Sequence, residues 1–159
     1  MAKKGQTEFF SEESLSLDPV LDASEMKLQK LDKNFNPSKF LEGAKSAFNL
    51  IVSSYKQNKL EGVKGYLSKN VYSIFENAIN NSEQDEHEES TFEIIKLNAS
   101  ILNIDIVKKL ARIKVEFLSL QKTKKNDNHE EQEIKDVWTF EKEISNPDPN
   151  WLLIEVSAD

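Results

Sequence analysis

The sequence predicts an α+β domain, with three helices followed by an antiparallel sheet of about four strands. A change of period carries that expectation. Up to about residue 81 apolar residues recur at three- and four-residue spacings, and after Ser90 they alternate. The scale fits: 159 residues, 38% of them hydrophobic, suffice for one domain with a real core and a tail.

Residues 1–35 read as an N-terminal linker or partly helical tail, because they mix Ser, Glu, Asp and Lys with few apolar residues. Leu21, Leu28, Leu31 and Phe35 nevertheless share one helical face, a pattern that suits a docked helix or a solvated linker. The folded domain, residues 36–159, opens at Asn36-Pro37, where Asn serves as N-cap and Pro takes the first helical position. The main helix follows, with Phe40, Leu41, Ala44, Ala47, Phe48, Ile51, Val52 and Tyr55 on a broad apolar face. Gly43, Ala44 and Ala47 are small, so a second backbone is expected to cross closely at Gly43.

Leu60, Val63 and Leu67 mark a short second helix. Ser68 caps a third, with Val71, Tyr72, Ile74, Phe75, Ala78 and Ile79 on its apolar side. "NSEQDEHEES" is an acidic loop without hydrophobic content. The strands come next. "TFEIIKLNASILNIDIVKK" is rich in β-branched residues, with a bend or bulge expected at Asn98-Ala99-Ser100. "ARIKVEFLSLQ" places Ala111, Ile113, Val115 and Phe117 on one face and charges on the other. Polar residues 122–133 read as a turn. Trp138, Phe140 and Ile144 then alternate with Thr139, Glu141 and Glu143, and Trp151 to Val156 form the last strand.

Asn146-Pro147-Asp148-Pro149-Asn150 joins those last two strands. Each proline fixes its own φ and holds the residue before it extended, which forbids a tight two-residue turn. Asn and Asp side chains stiffen such a segment further by bonding to nearby backbone. The expected product is a rigid, wide loop that sets strand register.

Charge and composition narrow the function classes. A net charge of −7 disfavours nucleic acid, whose phosphates need a basic face. The absence of cysteine excludes disulfides, thiolate metal sites and cysteine nucleophiles. No apolar run approaches the roughly 20 residues of a membrane span, and Met1-Ala2-Lys3-Lys4-Gly5 does not open a secretion signal. His87 and His129 lie in the acidic stretches "DEHEES" and "DNHEEQE", where a solvated charge run is favoured over a zinc site. Neither a metal nor a cofactor is expected. Asp105 and Asp136 are acids in or beside apolar strands, and Tyr55, Tyr66 and Tyr72 bring hydroxyls, but no nucleophile–base pair stands out. Lys108, Lys109, Arg112 and Lys114 with Lys122, Lys124 and Lys125 form the basic concentration of the chain, where a solvent face balanced by Glu116, Glu141 and Glu143 is slightly favoured over a surface for lipid headgroups or an acidic partner.

Two stretches, "FLEGAKSAFNLIVSSY" and "DVWTFEKEISNPDPNWLL", together resemble the Tim-forty-four-like family, named for the membrane-tethering subunit of the mitochondrial inner-membrane presequence translocase. Phe40, Leu41, Gly43, Ala44, Ala47 and Phe48 meet its helix pattern. Asp136, Trp138, Phe140, Asp148, Pro149, Asn150, Trp151 and Leu153 meet its strand-pair pattern, and "LSKNVYSIFENAI" falls between them in register. The resemblance covers residues 36 to about 157. It implies helices packed on a curved sheet, the cystatin-like cone shared with ketosteroid isomerase and nuclear transport factor two. It also implies a non-enzymatic, membrane-proximal adaptor, peripheral or tethered at the bacterial cytoplasmic membrane or the mitochondrial matrix side. Implied partners are a membrane lipid or inner-membrane protein and a chaperone or translocation component. The alternative is a small-molecule enzyme of the ketosteroid-isomerase-like fold.

A pocket for a lipid tail or other hydrophobic ligand is implied as well. Phe48 and Val52 on the helix, with Phe117, Trp138 and Phe140 on the strands, are its expected lining. If these rings interlock, they close the core instead.

Overall fold

A computed structural model describes residues 23–81, 90–148 and 150–158. Helix α1 (Ala23–Leu31) leads into the long α2 (Pro37–Lys56), a 3-10 turn (Glu61–Tyr66) and α3 (Lys69–Asn81). Strands β1 (Ser90–Val107), β2 (Leu110–Lys125), β3 (Asn128–Glu143) and β4 (Leu152–Ala158) make one antiparallel meander in the order β1-β2-β3-β4. The acidic loop with His87, Leu21 and the start of the chain lie outside the described residues.

The helix ends follow from their residues. Lys39 N–H donates to Asn36 Oδ1 at 3.1 Å, and Val71 N–H donates to Ser68 Oγ at 3.1 Å, so both expected caps are in place. α2 stops in a Schellman arrangement. Lys59 N–H reaches Ser54 O and Asn58 N–H reaches Tyr55 O, with Asn58 at φ 59°.

The core lies between α2 and the inner face of the sheet. Ala111, Ile113, Val115 and Phe117 of β2 are buried there with Phe48 and Ile51 of α2. β4 also touches the helical segment, where Ser68 N–H donates to Leu153 O at 2.9 Å. Burying rings such as Phe48 contributes roughly 1.5–3 kcal/mol each.

Several expectations change against this fold. α1 is docked, with Leu28 and Phe35 buried, although Leu31 is 53% exposed and leaves the apolar face. On α3 Ile74 and Ala78 also point to solvent. β1 runs unbroken through Asn98-Ala99-Ser100, and its register shifts fall at Ile95 and Leu102 instead. Each of these is the second residue of an apolar doublet, extruded so that Ile94, Leu97, Ile101 and Ile104 can face inward. The polar segment 122–133 is a strand hairpin rather than a long turn. Lys122 pairs with Glu131 and Lys124 with His129 across it, and the chain reverses at Asn126 with φ 55°. Nor do the basic residues form one patch. Arg112 and Lys122 stand ten residues apart on the extended β2, or about 33 Å, and Arg112 is paired to Glu141 at 2.8 Å.

Gly43 is the clearest reversal. It is exposed, and beyond the local backbone of α2 no atom lies within 4 Å of where its Cβ would stand, so no second backbone crosses there.

Candidate functional site

Two clefts flank the middle of α2, and a wall of aromatic rings separates them. Phe48 stacks on Phe117 with centroids 4.5 Å apart and lies 4.8 Å from Trp138. Phe117 meets Trp138 edge-on at 5.3 Å and Phe140 at 6.4 Å. Phe48 and Phe117 are wholly buried in this wall and border neither cleft.

The front cleft, about 350 Å³, opens beside the first half of α2. Its floor is Gly43, Ala44 and Ala47, and its aromatic sides are Phe35, Phe40, Tyr66, Phe140 and Trp151. Phe40 holds Trp151 edge-on at 5.0 Å and Phe140 at 6.0 Å. The proline-rich loop positions Trp151 for this contact. Asp148 N–H donates to Asn146 Oδ1 and Asn150 N–H to Asp148 Oδ1, each at 3.0 Å, two successive side-chain turns that stiffen the approach to β4. One charged pair lies at the cleft edge: Lys142 Nζ donates to Asp32 Oδ2 at 3.4 Å, both side chains only 12–13% exposed.

The rear cleft, about 370 Å³, opens beside the last turns of α2. Ile51, Val52, Tyr55 and Lys56 face Phe75 of α3, Ile134, Asp136 and Trp138 of β3, and Val156 of β4. Gln121, buried on β2, reaches it and donates to Ser119 Oγ at 2.9 Å. Burial pushes the Asp136 carboxyl above the usual carboxylate range, and the charge of Lys56 opposes that rise.

The five expected lining residues are therefore near neighbours that divide by role. Val52 and Trp138 line the rear cleft, Phe140 lines the front one, and Phe48 with Phe117 forms the partition. The expected lining leaves out the polar contributors, Lys56 and Gln121 in the rear and Asp32 and Lys142 in front, and Asp136 stands apart from it as an acid beside apolar strands. Asp136 carries a legible signal, since it shares the inward face with Trp138 and Phe140. Asp105, the other acid in this class, is exposed.

Among the described residues no three His, Asp or Glu side chains gather as metal ligands, and no helix is long and apolar enough to cross a membrane. His129 sits on β3, opposite Lys124.

No curated protein matches the chain. Among solved structures it resembles the crystal structure of the intermembrane space region of the chloroplast protein ARC6, with 12% identity and a TM-score of 0.48. That match covers 88% of this chain and 98% of the other, and it carries no functional weight. A family model, the Tim44-like domain, matches residues 22–158, nearly the whole chain and including α1. The helix bearing Gly43, Ala44 and Phe48 and the strand bearing Asp136, Trp138 and Phe140 thus belong to a member of the Tim44-like domain family.

Proposed function

We propose that this domain is a non-enzymatic adaptor that works beside a membrane and holds a hydrophobic ligand in its rear cleft. The observation that carries the adaptor reading is the Tim44-like match over residues 22–158. The rear cleft supports the ligand reading, because Ile51, Val52, Phe75, Ile134 and Trp138 give it apolar walls. Phe48 and Phe117 act as the rigid back wall, and Phe140 on the other side of that wall holds the front cleft in shape. The ligand is an acyl chain, and the partner is a membrane lipid or a membrane-bound translocation component.

Cross-linking and recovery of the full-length gene product from its native cell tests the adaptor reading. Membrane proteins should dominate the cross-links, and recovery of soluble proteins alone would remove the membrane from the account. Flotation with vesicles, with and without Trp138→Ala, tests the cleft. Vesicle association should weaken in the variant.

The enzyme alternative has one observation in its favour, a carboxyl of raised pKa in an apolar cleft. It lacks an oriented partner. Among the described residues no hydrogen bond joins Asp136 to a second group that would relay a proton.

A further inference from the structure

The polar groups enclosed by the fold are mostly answered within it. Asp32 meets Lys142, and Gln121 meets Ser119. Asp136 differs. Its side chain is half-buried in the wall of the rear cleft, on the strand face between Ile134 and Trp138. Among the described residues it forms neither a hydrogen bond nor an ion pair.

Lys56 acts on this carboxylate only through space. Its ammonium is instead held over the Phe92 ring, 5.5 Å from the centroid. Desolvation outweighs the attraction of Lys56, so the carboxylate is under-compensated where it stands. Among the described residues the other elements lining the cleft bring no further charge. α2 adds Tyr55, α3 adds Phe75, β2 adds Gln121, and β4 adds Val156, Ser157 and Ala158.

We propose that the rear cleft takes a single-chain amphiphile with a hydrogen-bond-donating head, best a primary ammonium, seated on Asp136 with its chain along Ile51, Val52 and Trp138. This rests on the reading of the cleft as a hydrophobic-ligand site and adds the chemistry of the head. A donor supplies what the Asp136 oxygens lack, and an ionised donor makes the stronger bond. A carboxylate head would instead meet the like charge of Asp136, which Lys56, held over the Phe92 ring, offsets only through space. The volume also selects. About 370 Å³ lies near the lower end of the roughly 300–1,000 Å³ of ligand sites, room for one chain rather than several.

Dodecylamine, dodecanol and dodecanoate, titrated as monomers, test the assignment. Trp138 emission reports binding in a Trp151→Phe background, since Trp151 belongs to the front cleft. The amine should bind about tenfold more tightly than the alcohol, a difference of about 1.4 kcal/mol, and the acid should bind most weakly. Amine affinity should rise with pH as Asp136 ionises, then fall once the head loses its own proton. Asp136→Asn should lower the amine to the level of the alcohol and leave the alcohol in place. The wild-type pH profile tests the same point without a variant. Equal binding of the three probes, or an amine preference that survives Asp136→Asn, overturns the head-group assignment and keeps the pocket. Absence of saturable binding by any probe overturns both.

Discussion

The front and rear clefts are nearly equal in volume and open on the same strand, yet they treat charge oppositely. β3 sends Asp136, Trp138, Phe140 and Lys142 to one face in succession. At its front end Lys142 is met by Asp32, a residue that the chain supplies just after α1. At the rear end Asp136 is met by no comparable group among the described residues. The difference traces to where α1 docks, because it brings a counter-charge to one end of the strand only. A paired charge becomes part of the scaffold. An unpaired one is either a cost to folding or a receptor for something that arrives later.

The most severe way to break this comparison is to remove the partition. Phe48→Ala takes out the ring that stacks on Phe117 and touches Trp138. Such truncations cost about 3–5 kcal/mol, and here the lost volume would join the clefts. Urea unfolding should show a midpoint far below that of the wild type. A loss under about 1 kcal/mol would mean that the rings do not bear on each other as a wall.

Cutting the front ion pair comes second. Lys142→Ala leaves the Asp32 carboxylate largely enclosed without its counter-charge, holding only the Asn34 N–H on Oδ1, a penalty of about 1–3 kcal/mol. Hydrogen exchange should accelerate in α1 more than in β2, because the contact ties the end of α1 to the sheet. Asp32→Asn in the same chain should recover part of the loss. If the double variant is no better than Lys142→Ala, the two groups are not coupled.

These regions differ in how far the sequence reveals them. Strand alternation exposes the inner face of β2 and the aromatic positions of β3, since period two is a one-dimensional property. The caps at Asn36 and Ser68 are legible for the same reason, being local. The bulges escape because the doublets Ile94-Ile95 and Ile101-Leu102 look like richer strand, although an apolar doublet in an alternating run is their mark. The 122–133 hairpin reads as a turn because its residues are polar throughout and carry no apolar alternation, and pairings such as Lys122 opposite Glu131 are invisible until the register is known. The division of five expected residues between two clefts and a wall depends on how rings interlock in three dimensions. No spacing contains that.

A third test sharpens the rear end. The folded-state pKa of Asp136 lies above its unfolded value, so the native state holds this proton more tightly. Stability from this group is therefore present below the unfolded pKa and lost as pH rises through the folded one. Asp136→Asn removes that loss. The variant should gain in melting temperature relative to wild type as pH climbs through the acid range, and the gap should then stay constant at neutral pH. A gap that widens as pH falls would place Asp136 in a stabilising contact and return the two clefts to equivalence.

The smallest expected effect is at Gly43. In the interior of a helix glycine costs about 0.5–1 kcal/mol relative to alanine through backbone entropy. Beyond the local backbone of α2 nothing stands within 4 Å of the missing Cβ, so a methyl there faces the open front cleft. Gly43→Ala should raise the melting temperature slightly, the opposite of what a close backbone crossing would give. Gly43→Leu should also fold without the overpacking penalty of about 1–3 kcal/mol that a filled site imposes. Its side chain would occupy the front cleft between Phe40 and Tyr66 and leave the rear one untouched. A chain probe that binds Gly43→Leu as well as wild type then belongs to the rear cleft. One displaced by that substitution belongs to the front, and Asp136 would lose its role as the head-group partner.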